Sequence, residues 1–489
     1  MKLIISMLFV CVASTLVAQQ NNLPGLNFIK TAELKKDLYE FADAKFKGRS
    51  AGTIDELKAA AWLAEKYRAI GIKAAGDDGT YFQYFTLWRN YVSSQSTFYI
   101  NEKPLTLWKD VAVSQMANMK IDAPLLYLGS VLDLENSRID VKGKIIVLDA
   151  NKSDINLNIS LPTWRYHRAI FAKYGLPLQQ RGAAGVIFIA DETAEQAWED
   201  ANENFERGTY DIDGGANENL STTMPVLWLH ANMKEMLQQN IATLKANIIV
   251  SKYAYPSVNV VGKIDGTDPK LKSEYLLYSG HTDAHGIRNE IKNDSIFYGA
   301  DDNGSVNVAI LANARAFIKY PAKRSVLFVI HGAEERGLLG SKYYTQHPTV
   351  PITSIAAVLN GDMIGRNHID SATILGSIPP HRNSMELVNM AFAANKEGPK
   401  FILDSTWDRV THVEGWYFRS DHLPYARLGI PSIMYTTLLH PDYHTPQDNA
   451  ENINYLKLKK MADWMYRTGH KVANAAVRPA RDKDFKLER

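Results

Sequence analysis

Five short stretches gather side chains able to bind a cation or move a proton: His281-Thr282-Asp283, Asp301-Asp302-Asn303-Gly304, Glu334-Glu335, Asp362 and His444-Thr445-Pro446. Taken singly, each has an ordinary structural reading. A His-x-Asp serves as a satisfied pair, an adjacent Glu-Glu suits the positive end of a helix, and Asp-Asp-Asn-Gly makes a turn and a helix cap. Together they supply two imidazoles and several carboxylates. That donor set suits a pair of Zn²⁺ ions, because a carboxylate can bridge two cations about 3.5 to 4 Å apart. The only cysteine is Cys11, so a structural site of the thiolate type is excluded. Glu334 and Glu335 need not do the same work: one can ligate while the other takes a proton from metal-bound water. Asp283 lies close enough to His281 in sequence to orient its imidazole through the second nitrogen.

The elements that must position these residues are legible as an alternation. Short apolar runs predict strands at 258–263, 275–279, 326–330, 356–359, 373–375 and 432–435. Helical spacing predicts helices at 305–319, 338–345, 384–394, 421–428 and 456–475. Strands alternating with helices imply an α/β layer with a mostly parallel sheet. Nearly every candidate cluster falls just past a strand, where open α/β sheets bind ligands, so the five could share one crevice.

The rest of the chain is consistent with a large protein of more than one unit. It has 489 residues, 46% of them hydrophobic and 22% charged. With 55 Lys plus Arg against 53 Asp plus Glu, no global field recruits nucleic acid or an acidic membrane. Lys2 followed by an apolar run to Val17 and then Ala18-Gln19-Gln20 predicts a signal peptide at 1–18, hence an exported, periplasmic or secreted protein. The run is too short for a membrane span, and no second one follows. Residues 19–95 form an N-terminal helical segment that breaks at Gly71, 96–253 a β-rich insert, 254–477 the main α/β domain and 478–489 a solvated charged tail. Within the insert, the polar stretch 191–223 reads as an exposed loop. Trp407, His412, Trp416, Tyr417 and Phe418 form an aromatic loop that either lines a pocket for an apolar side chain or packs onto the domain.

A family resemblance rests on five ordered motifs: Ser279-Gly280-His281-Thr282-Asp283, Gly299-Ala300-Asp301-Asp302-Asn303-Gly304-Ser305, Glu334-Glu335-Arg336-Gly337-Leu338-Leu339-Gly340-Ser341, Asn360-Gly361-Asp362-Met363-Ile364-Gly365 and Tyr443-His444-Thr445-Pro446-Gln447-Asp448. With these the chain resembles a zinc aminopeptidase of the M28 metallopeptidase family. Gly48-Arg49-Ser50-Ala51-Gly52-Thr53 and Arg419-Ser420-Asp421-His422 also look like family stretches. Asp140-Val141-Lys142-Gly143-Lys144-Ile145-Ile146-Val147-Leu148 and Arg181-Gly182-Ala183-Ala184-Gly185-Val186-Ile187 resemble an inserted protease-associated domain.

The resemblance implies two Zn²⁺ ions bridged by Asp301, with His281 and Asp362 completing one and Glu335 and His444 the other. It implies that Glu334 is the general base and later the acid, and that Asp283 is the partner of His281. The implied reaction is attack of a zinc-bound hydroxide on the first carbonyl of a peptide with a free N-terminus, and the insert's implied role is a lid or specificity element. Val306 and Gly304 depart from the family's frequent glycine and alanine without touching a ligand position. His285 is an additional imidazole just past Asp283, open to reading as a substrate contact, a decoy ligand or a surface residue, of which the last is favoured. A carboxypeptidase of glutamyl substrates, a single-zinc glutaminyl cyclase and a non-enzymatic binding module remain alternatives on the same scaffold.

Overall fold

The structure is a computed structural model that describes residues 23–130, 138–151, 164–217, 224–239 and 241–487. The expected signal peptide at 1–18 lies outside the described residues. The chain divides into two units, one formed by residues up to Phe85 together with Pro256 onward, the other by Thr86–Tyr255. Among the described residues, no helix is long and apolar enough to cross a membrane.

The first unit is built on a mixed sheet. Its strands lie in the order Ile402–Leu403, Ser371–Leu375, Ser432–Thr436, Ile355–Gly361, Tyr275–His281, Ser325–His331 and Val250–Ile264. The four strands from Ser432–Thr436 to Ser325–His331 are mutually parallel, and antiparallel partners flank them on both sides. Uninterrupted apolar runs are what a sheet covered on both faces requires. Alternate residues serve the two faces: Leu276, Tyr278, Phe328 and Leu359 pack into one core, and Leu277, Leu327, Val329 and Val358 into another with Tyr344 and Tyr425.

The expected helices form with shifted ends, at Val306–Lys319, Leu339–Gln346, Met385–Glu397, His422–Arg427 and Tyr455–Asn474. Val306–Lys319 is buried nearly throughout, packed against the sheet and against Thr31–Phe41, Ile54–Ile70 and Tyr455–Asn474. Ile54–Ile70 begins where the Thr53 hydroxyl accepts the Glu56 amide and ends where Gly71 turns left-handed at φ 92°.

The second unit carries an eight-stranded sheet in the order Lys103–Leu105, Thr97–Ile100, Thr243–Ile248, Met119–Gly129, Ile145–Asp149, Gly185–Ile189, Val226–Leu229 and Val111–Gln115. Two expectations fail. Residues 191–223 are not an exposed loop: Glu192–Gln196 and Trp198–Arg207 are helices and Thr209–Ile212 is a strand, with 218–223 outside the described residues. Trp198, Ala201, Asn202 and Phe205 fall at helical spacing within the polar sequence, and the first three are buried. The second fails only in part: most of residues 478–487 are exposed as expected, but two side chains dock. The Asp482 carboxylate accepts from the Met385 amide at 2.9 Å, at the positive end of Met385–Glu397, and from Arg382 Nε at 2.9 Å, while Phe485 is buried.

Candidate metal centre

The parallel strands deliver their last residues to one edge of the sheet. His281 ends its strand opposite His331, Asp362 follows Ile355–Gly361 directly, and Glu334-Glu335 and His444 sit on the loops after Ser325–His331 and Ser432–Thr436. Tyr275–His281 lies between the strand that follows it and the strand after that, so the chain reverses its direction of travel there, as at ligand crevices of open α/β sheets. Three of these loops hold a non-glycine residue in the left-handed region: Ala333 (φ 52°) before Glu334, Met363 (φ 58°) after Asp362, and His444 itself (φ 56°). Such backbone costs of order 1–3 kcal/mol each and gathers where a site over-determines it.

Two groups of donor atoms result. His281, Asp302 and Asp362 form one and His285, Glu335 and His444 the other, with the donor atoms of each group within 4.8 Å of one another. Asp302 reaches both: Oδ1 is 3.2 Å from His281 Nε2 and Oδ2 is 3.0 Å from His444 Nε2. Asp362 Oδ2 lies 4.0 Å from His281 Nε2, and Glu335 places Oε1 3.3 Å from His444 Nε2 and Oε2 3.2 Å from His285 Nε2. Glu334 Oε2 stands 3.8 Å from His281 Nε2.

Asp301, expected between the two ions, is not in either group. Its Oδ1 accepts the Gly365 amide at 2.6 Å and its Oδ2 faces His440 at 3.5 Å. Asp448 explains the choice between the two neighbours. Its carboxylate accepts the amides of Asp301 and Asp302 at 2.9 and 3.1 Å, which pins the turn so that Asp302 projects toward the imidazoles. His285 is likewise not a surface residue; its side chain is 9% exposed and its ring meets that of His444 edge to face at 3.9 Å. Asp283 acts on both sides of the centre. Its carboxylate accepts the Glu334 and Glu335 amides at 2.9 and 3.1 Å, and its carbonyl oxygen is 3.1 Å from His281 Nδ1.

Arg49 lies in the stretch Gly48–Thr53, before the helix Ile54–Ile70. The structure buries it completely and aims it at four carbonyl oxygens, those of Thr282, Tyr298, Gly299 and Phe41, at 2.8, 2.7, 2.9 and 3.3 Å. It ties together the two turns that carry Asp283 and Asp302. The aromatic loop is mainly packing: Trp416 and Tyr417 are buried, and Trp416 meets Tyr443, which stacks on His444 at 3.5 Å. A shallow cleft is bordered by His285, Phe297, Asp302, Glu335 and His444.

Electrostatics show a site short of positive charge. Burial, reinforced by Glu335, Asp362 and Asp421, pushes Glu334 well above the usual carboxylate range despite His281. Burial and then Asp302 push Asp362 up in the same way. Burial acts on Glu335 too, yet His285 and His444 outweigh it and hold that carboxyl well below the usual range. His281 Nε2, Glu335 Oε1 and both ring nitrogens of His285 are buried without a hydrogen bond among the described residues. Unsatisfied imidazoles and crowded buried carboxylates are costly unless a cation joins them, and nitrogen and oxygen donors of this kind are zinc ligands. The residues therefore fit a divalent cation such as zinc.

The sequence signature described as Peptidase family M28 matches residues 259–468. Aminopeptidase YwaD of Bacillus subtilis (strain 168) is 29% identical over 251 residues, 49% of this chain and 50% of that protein, so this chain spans half the length of that relative. The solved aminopeptidase from Aneurinibacillus sp. strain AM-1 superposes with a TM-score of 0.59 at 19% identity, over 94% of this chain and 98% of that one. BSAP, a zinc aminopeptidase from Bacillus subtilis, gives a TM-score of 0.55 at 18% identity over 91% and 96%. Residues 259–468 thus carry the M28 signature, within a chain whose fold is shared with solved bacterial aminopeptidases.

Proposed function

We propose that the protein is an exported two-zinc aminopeptidase that removes the N-terminal residue of peptides. The observation that carries this reading is Asp302, which turns one carboxylate oxygen toward each of two donor groups, beside a glutamate that belongs to neither. His281 and Asp362 would hold one ion, Glu335 and His444 the other, and Asp302 would be shared. Bound there, the ions lower the pKa of a water and polarise a carbonyl oxygen.

The chain's own residues do the rest. Glu334 is free to take a proton from water and deliver it to the leaving amine, and cations beside it would pull its raised pKa back toward the ionised form. Asp283 holds Glu334 and Glu335 by their amides, so the base and its ligating neighbour keep their separate directions. Glu335, Asp302 and Asp362 offer carboxylates to a protonated substrate α-amine, which favours a free N-terminus. The similarity to aminopeptidase YwaD and to the zinc aminopeptidase BSAP supports this reading.

Thr86–Tyr255 would be the protease-associated domain, with a role in substrate selection. Export rests on residues 1–18, and a mature N-terminus at Gln19 checks it. The main test is hydrolysis of a panel of aminoacyl anilides, with chelation abolishing activity and zinc restoring it. Activity that survives thorough metal removal would overturn the proposal.

A further inference from the structure

His285 is used by none of the roles above, yet the fold takes trouble to place it. Ser50 and Ala284 form a β-bridge, and Gly286 turns at φ 80° where an added Cβ would sit 2.7 Å from Ser50 Cβ. Only a glycine lets the hairpin of Gly286–Ile291 and Asp294–Phe297 start this close to Ser50. Phe297, paired with Gly286 across the hairpin, then meets the His285 ring edge to face. The ring is directed at Glu335 and His444, nine-tenths buried, with neither nitrogen hydrogen-bonded among the described residues. Nδ1 has nothing in place of its lost solvation, and Nε2 faces a carboxylate oxygen of Glu335 across 3.2 Å without a well-aligned hydrogen bond, as two donors around a common cation would.

We propose that His285 is a direct ligand of the ion held by Glu335 and His444. The inference rests on the two-ion reading above. It makes the centre unequal. One ion has four protein donors, His285, Glu335, His444 and Asp302, and the other has three, His281, Asp362 and Asp302. Zinc sites with four protein ligands are closed and tightly held, whereas those with three keep a position open for water or substrate. The ion at Glu335 and His444 is therefore the anchor, and the ion at His281 and Asp362 is the exchangeable one.

The test uses the full-length protein loaded with Zn²⁺ or Co²⁺ and a chromophoric chelator as competitor. Wild type should release its ions in two separated steps. His285→Ala should weaken the tighter ion at least about tenfold and change its Co²⁺ visible spectrum, with millimolar imidazole restoring both. X-ray absorption of the wild-type dizinc protein needs no variant to fold: it should count about 1.5 imidazoles per zinc, against about 1 if only His281 and His444 ligate. Unchanged affinity and spectrum in a folded His285→Ala or His285→Gln protein, or a count near 1, would refute the ligand role; a change confined to KM would make His285 a substrate contact instead. Wild-type protein that binds no metal at all would sink the two-ion reading first.

Discussion

Replacing Asp302 by Asn, with Asp301→Asn as its comparison, separates two carboxylates adjacent in sequence that the structure gives unlike tasks. Asp302 points one oxygen at each imidazole, at 3.2 and 3.0 Å, and an amide would present an N–H to one side in place of a charged donor. Loss of a group that merely supports a ligand costs 10–100-fold in metal affinity, so loss of a shared ligand should cost at least about 100-fold, or about 2.7 kcal/mol. Asp301 receives the Gly365 amide at 2.6 Å, a bond that an asparagine oxygen still accepts. Asp301→Asn should therefore shift metal affinity less than about threefold, under about 0.7 kcal/mol. Zinc titration against a competing chelator, with metal counting by mass spectrometry after dialysis, reads both values. Asp302→Asn should retain at most one ion per chain and Asp301→Asn two. The opposite pattern would refute the placement of the bridge and the argument from Asp448.

Three other perturbations address separate links. Glu334→Gln should lower kcat at least about 100-fold while leaving two ions bound, and steady-state kinetics with retained activity would remove Glu334 as the base. Arg49→Met removes the guanidinium from the carbonyl oxygens of Thr282, Phe41 and Tyr298, while that of Gly299 keeps the Gly304 amide at 3.1 Å. At about 1 kcal/mol each for those three, that predicts a loss of about 3 kcal/mol and, at about 2.1 cal/mol/K per residue over roughly 300–490 residues, a fall in Tm of about 3–5 °C, and a calorimetric shift under about 1 °C would contradict it. Glu56 is fully buried and, by burial and then by Asp283, pushed up to about 8. Its proton is held in the folded state and released in the unfolded state between the ordinary carboxyl range and pH 8, so folding stability falls as pH rises through that window. Relative to Glu56→Gln, wild type should lose at most about 1.4 kcal/mol per pH unit from pH 5 to 8 and nothing further above it, and parallel urea-denaturation curves at pH 5 and 8 would refute the assignment.

The alternation of strands and helices after Pro256 was legible because both faces of the central strands are covered, which leaves unbroken apolar runs in the sequence. The clustering of His281, Glu335, Asp362 and His444 was legible for a related reason: parallel strands bring their ends to one edge, so residues just past them converge. The polar sequence around Trp198 hid a helix because only one of its faces is apolar, and 478–489 hid a docked segment because Asp482 acts on a helix end that is remote in sequence.

By itself the sequence determined the fold class, the residue types at the candidate centre and their order, since these follow from local periodicity and chemical type. Which of two adjacent aspartates faces the imidazoles was decided only by tertiary structure. Asp448, 147 positions beyond Asp301, holds the turn by its amides, and no local pattern encodes a constraint from so far away. The same holds for His285, whose burial depends on the hairpin and Ser50 closing around it, and for Arg49, whose four acceptors lie on three separate segments. Side-chain direction at such positions is set by distant hydrogen bonds and by what closes over them, which periodicity and residue type do not contain.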